Sequence, residues 1–126
     1  MQVGLPDGRF AYGRVYRDAS VAFYRTATEG PSQPPVGSRD FAFCVDVYRD
    51  VVLRWERVGS DPFTEAEGDG WPPPTSICDP ITGAWKVYRH GEIRPATAAE
   101  AAGREPAAVW DEQHLLPRLS EAVAGG

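Results

Sequence analysis

From residue 59 to residue 80 the chain carries five acidic residues, five prolines and no lysine or arginine. No other stretch restricts the fold so strongly. Proline inside a helix removes an N–H and clashes with the preceding turn; in a central strand it breaks the ladder. The segment therefore reads as neither a long helix nor a central strand. Residues 59–70 are expected to form an exposed acidic loop. Residues 71–74 should be stiff and extended, because consecutive prolines favour polyproline II. The stretches before and after this acidic, Pro-rich loop of residues 59–80 both read mainly as β-structure.

Residues 9–17 alternate cleanly. Phe10, Tyr12, Arg14 and Tyr16 share one face, while Ala11, Gly13 and Val15 share the other, which is the period of a strand. The small residues of the second face point to close approach by another layer. Further strands are expected at 3–5, 20–26, 40–47, 51–58, 84–89 and 92–95. Pro6-Asp7-Gly8, residues 79–83 and His90-Gly91 supply turns, and residues 29–38 a loop. Residues 105–110 read as extended or irregular. Thr97 with Glu100 makes a capping box for a short helix reaching Gly103. Asp111 caps a last helix running to Val123, with Leu115, Leu119, Ala122 and Val123 as its apolar stripe. Pro117 should kink or split that helix, and residues 124–126 should fray. The 126 residues suit one core. The expected fold is a single α+β domain over residues 1–126: a twisted antiparallel sheet, curled toward a barrel, with the C-terminal helix packed on it.

Charge and motifs narrow the function. The formal net charge is −5, which disfavours a nucleic-acid partner. No apolar run reaches the roughly 20 residues of a membrane helix, and residues 1–10 lack the apolar centre of an export signal. A cytoplasmic location follows, with Cys44 and Cys78 as free thiols. CxxC, HExxH and calcium-loop spacings are absent, so no metal and no cofactor is expected. His114 lies three residues after Asp111, and the ordinary reading is a surface i,i+3 pair. Cys78-Asp79 and His90 could meet across a hairpin, but no family-type signature surrounds Cys78, so no catalytic residue is assigned and the chain is not expected to be an enzyme. Two binding readings remain. Asp61, Glu65, Glu67 and Asp69, with Trp71 as an apolar anchor, would contact a basic protein. Alternatively, Tyr12, Tyr16, Phe23 and Trp55 would line the pocket of a small-ligand-binding β domain without catalysis.

Three pieces, in order, resemble the immunity protein 26 family of bacterial polymorphic toxin systems. The first is Leu5-Pro6-Asp7-Gly8-Arg9-Phe10-Ala11-Tyr12-Gly13-Arg14-Val15. The second is Pro73-Pro74, then Asp79-Pro80-Ile81-Thr82-Gly83 and Trp85-Lys86-Val87-Tyr88. The third is Ala107-Ala108-Val109-Trp110-Asp111 with His114 and Arg118-Leu119. The resemblance implies an antitoxin that neutralises a cognate protein toxin by binding it. It supplies no catalytic residue, and its glycines and aromatics are expected to determine the fold more than the toxin-binding face.

Overall fold

The computed structural model describes residues 1–32, 34–35, 37–67 and 69–123, and the expected fraying of 124–126 lies outside them. Along the chain come strands β1 (Gln2–Gly4), β2 (Phe10–Val15), β3 (Ser20–Thr28) and β4 (Phe41–Val47). Helix α1 (Arg49–Arg54) follows, then β5 (Thr75–Cys78), β6 (Trp85–Arg89), β7 (Glu92–Ala96), α2 (Ala98–Ala101), β8 (Val109–Trp110) and α3 (Glu112–Ala122). The larger sheet has the order β1-β2-β3-β4-β8 and the smaller one β5-β6-β7. Both sheets are antiparallel except at one edge, where β8 runs parallel to β4, with Asp46 opposite Val109 and Val47 opposite Trp110. The long excursion from α1 to α2 allows that: a parallel pair needs a crossover, not a hairpin. Register slips between Ala11 and Gly13 and between Phe23 and Tyr24 add local twist, and the larger sheet curls into a half-barrel.

The core lies inside that curl. Ala11, Val21, Phe23, Val45 and Val47 meet Leu115, Leu119 and Val123 of the last helical segment. Leu115 and Leu119 are wholly buried, each contributing about 1.5–3 kcal/mol of transfer free energy. A Cβ on Gly13 would stand 2.6 Å from Val21 Cγ1, on the adjacent strand β3, so the close approach to the small face of β2 at Gly13 comes from within the sheet and not from another layer. Asp111 caps α3 by accepting the His114 N–H at 2.8 Å, and α3 runs unsplit through Pro117. At α2 the expected capping box forms, with both Thr97–Glu100 bonds at 3.1 Å, although the helix ends at Ala101.

Two expectations are corrected. Residues 49–54 form α1, where residues 51–58 were expected to be a strand. A strand would put Val51, Leu53 and Trp55 on one face. The structure buries Val51, packs Trp55 against the core and leaves Leu53 77% exposed, which is the i,i+4 period of a helix. Within residues 59–80, Thr75–Cys78 is strand β5 rather than loop. Its ladder partner is β6, and Ser76 is bridged on the other side to Pro106; the prolines before it lie outside both pairings and interrupt no ladder.

Candidate functional site

The acidic loop is neither wholly exposed nor without bases. Its cations come from distant parts of the chain. Arg14 on β2 points away from the core and its side chain is 3% exposed. It donates to Glu67 Oε2 at 2.6 Å and Oε1 at 3.1 Å, to the Asp61 carbonyl at 3.1 Å and to the Pro62 carbonyl at 2.9 Å. Its guanidinium also lies 4.3 Å from the centre of the Phe63 ring. Arg39 reaches both carboxylates from the loop before β4, at 2.9 Å to Asp61 and 3.1 Å to Glu67. Asp61 further accepts the Tyr24 hydroxyl at 2.9 Å and the Gly37 N–H at 3.2 Å.

Two guanidiniums thus neutralise two carboxylates. The Arg14 bond, helped by the Thr64 N–H, holds the Glu67 carboxyl well below the usual range. Burial pushes Asp61 up, but bonds from Gly37, Tyr24 and Arg39 outweigh it and leave that carboxyl lowered. Burial, then Asp61, pushes the Tyr24 phenol up. Of the acids expected to meet a partner, Glu65 and Asp69 are exposed, while Asp61 and Glu67 are partly buried and bound within the chain.

Trp71 sits where the two sheets meet. It is half-buried, stacked on His90 with ring centres 5.6 Å apart and planes at 18°. The Arg17 guanidinium lies 5.2 Å from its centre. His90 and Gly91 both take positive φ, 52° and 80°, the two-residue turn expected of the β6–β7 hairpin. Arg17, from the β2–β3 connection, donates its N–H to the Gly70 carbonyl at 2.9 Å and its Nε to the Asp69 carbonyl at 2.7 Å. Asp18 and Ala19 next to it hold positive φ of 59° and 55°, which costs free energy in residues with a Cβ. The Tyr88 hydroxyl bonds Asp18 at 2.8 Å and ties the smaller sheet to this turn.

Trp71 lines two grooves. One, of about 440 Å³, also has Val15, Arg17, Arg49, Val52 and Leu53. The other, of about 520 Å³, is lined by Pro72, Pro73 and Pro74 together with Arg89, Arg94 and Arg104. Of these lining residues the sequence singled out Trp71, together with Glu67 and Tyr16, which line the second groove as well, and left the others unmarked. Leu53 was hidden by the strand assignment. For the arginines the only signal was alternation: Arg89 and Arg94 fall on the Val87 face of their strands.

The other candidates do not assemble. Tyr12 and Phe23 are 1% and 0% exposed and fill the interior. Tyr16 packs on Phe63, and Trp55 lies edge-on to Phe23. His114 pairs with Asp111 on the surface at 2.7 Å. Cys44 and Cys78 are free, Cys78 exposed and Cys44 half-buried, where burial pushes the Cys44 thiol up to about 12. Among the described residues no three His, Cys, Asp or Glu side chains converge to hold a metal, and no helix is long and apolar enough to cross a membrane.

Several residues of the three sequence motifs make joints of the fold. Arg9 bonds Asp7 at 2.7 Å and reaches the Ser120 carbonyl at 3.0 Å, clamping the first turn to the end of α3. Asp79 accepts the N–H groups of Ile81 and Thr82 at 2.8 and 3.1 Å, which closes its turn. Arg118 bonds Glu105 at 2.6 Å and lies between the Phe43 and Trp110 rings. Comparison with family models, with curated proteins and with solved structures finds no match to the chain.

Proposed function

We propose that the chain is an immunity protein of a bacterial polymorphic toxin system. It would bind a cognate protein toxin in the cytoplasm and neutralise it by occupancy, without catalysis or a cofactor. The observation that supports this best is the surface around Trp71. Leu53 is 77% exposed and Val15 43%, and both line the groove that Trp71 closes. Arg17, Asp18 and Arg49 line it as well. Exposed apolar side chains beside charged ones suit a protein interface, and a rigid Trp is a common anchor in one. The Trp71–His90 stack and the Arg17 bonds to the Asp69 and Gly70 carbonyls position Trp71 before binding, which limits the entropy lost.

Growth rescue tests the reading directly. Co-expression with the toxin encoded by the neighbouring gene should restore growth, and the two proteins should co-purify as a stoichiometric complex. Leu53→Asp changes an exposed side chain and should leave the melting temperature alone while weakening the complex at least about tenfold, as expected for a central apolar contact. Absence of both rescue and complex would sink the proposal.

A further inference from the structure

The second groove points to the chemistry of what binds there. Arg89, Arg94 and Arg104 line it together with Trp71, His90 and the three prolines. Among the described residues, none of the three arginines has a carboxylate oxygen within 4.0 Å. Glu92 stands opposite Arg89 in the hairpin register yet makes no ion pair with it. Arg104 donates its Nε to the Glu100 carbonyl at 2.9 Å, and the Glu100 carboxylate is bound to the Thr97 N–H. The one acid lining the groove, Glu67, is already bound by Arg14 and Arg39. The groove is therefore positive within a chain whose net charge is −5.

Guanidinium forks recognise carboxylates bidentately. Pro72, Pro73 and Pro74 lose little entropy on binding, and Trp71, held by its stack on His90, adds apolar ring surface to the lining beside the cations. An extended polyanion such as nucleic acid would meet the overall negative charge beyond the groove, whereas a short acidic peptide segment would meet only the groove. We propose that this groove receives an acidic segment of a protein partner, its carboxylates bound by Arg89, Arg94 and Arg104 and its chain resting on Trp71. This inference rests on the protein-binding reading above and adds the partner's chemistry: the contacting segment is acidic, where the sequence alone pointed to a basic one.

NMR titration of the full chain with hexaglutamate, and separately with hexalysine, tests it. Hexaglutamate should shift the Trp71 indole N–H and the amides of residues 89–94 saturably, and hexalysine should not. The double variant Arg94→Gln, Arg104→Gln should melt at the parent temperature and bind hexaglutamate at least about fivefold more weakly, since two charge-assisted bonds are lost. Three results would each overturn the site: no saturable shift with hexaglutamate, shifts scattered over the surface, or unchanged affinity in the double variant. Tighter binding of a single-stranded oligonucleotide than of hexaglutamate would also overturn it, in favour of phosphate recognition. The same variant separates this inference from the function. A toxin complex indifferent to Arg94→Gln, Arg104→Gln removes the groove and leaves the immunity reading. Hexaglutamate binding without any toxin complex removes the immunity reading and leaves the groove.

Discussion

Arg14 fastens residues 61–67 to the sheet, and its removal should release them. The side chain is 3% exposed and donates five hydrogen bonds, two to Glu67, one each to the carbonyls of Asp61 and Pro62, and one to the Tyr16 hydroxyl. Breaking a buried ion pair by deleting one partner costs about 3–5 kcal/mol. Glu67 is 24% exposed and keeps Arg39, which places Arg14→Ala at the low end, about 3 kcal/mol. For a domain of this size that lowers the melting temperature by about 10 °C. Arg39→Ala is the control. Arg39 contacts the same two carboxylates but is 36% exposed, so its loss should cost about 0–1 kcal/mol. Arg14→Lys should fall between them, because an ammonium cannot reproduce the fork that spans Glu67 and two carbonyls. Urea unfolding of the three variants gives the free energies, and limited proteolysis near residues 59–67 reports loop release. Equal destabilisation by Arg14→Ala and Arg39→Ala would refute the reasoning.

The carboxylates set the acid limit of stability. Glu67 and Asp61 are both lowered in the folded chain, as are Asp7, Asp79 and Asp111, each of these three chiefly by a backbone N–H. A lowered folded pKa stabilises above the unfolded carboxylate range and is lost as pH falls through the folded value, so the melting temperature should hold down to about pH 5 and drop below about pH 4. In Arg14→Ala that drop should be shallower, and an unchanged slope in calorimetry would separate Glu67 from the effect. A thiol reagent at neutral pH should modify Cys78 promptly and the half-buried Cys44 much more slowly; equally prompt reaction of both in the native protein would contradict the partial burial of Cys44. Gly13→Ala places a Cβ 2.6 Å from Val21 Cγ1 and should destabilise by about 1–3 kcal/mol. Gly4→Ala, with nothing within 4 Å, should melt close to the parent.

Much of the frame was legible because it is written in local patterns. The alternation through Tyr12 and Arg14 gave β2 and its two faces. Asp111 and the Thr97–Glu100 pair gave the starts of α3 and α2. His90-Gly91 gave the hairpin. Each is fixed by residues within a turn or two of one another. The errors came where a short apolar run satisfies two periods. Val51, Val52, Leu53 and Trp55 serve a strand at period two and a helix at i,i+4, and the core chose the helix by taking Val51 and Trp55. The parallel β4–β8 edge was invisible for a different reason: residues 46 and 109 meet only after the whole smaller sheet has been inserted between them. The site followed the same rule. Trp71 was legible from its Gly-Trp-Pro setting, but the groove walls that surround it come from four separate parts of the chain.

Charge suffers most from being read along the chain, and a last prediction follows from that. The run from residue 59 to residue 80 holds no base of its own, yet Arg14 and Arg39, 53 and 28 residues from Glu67 in sequence, neutralise two of its acids. A partner that engaged Glu67 would have to draw it from Arg14, at a cost of about 3 kcal/mol that an exposed contact does not repay. Asp61 is bound in the same way. Only Glu65 and Asp69 among the four acids remain exposed, and the groove beside Trp71 presents arginines. Glu65→Gln with Asp69→Asn should therefore leave association with the cognate toxin unchanged or speed it, most visibly at low salt, where screening is weakest. Arg89→Gln with Arg94→Gln should slow it and flatten its salt dependence. Stopped-flow association rates at two salt concentrations decide between the accounts. Slower binding by the acid-neutralised variant would mean that the loop steers a basic partner after all, and that the arginines of the second groove serve some other contact.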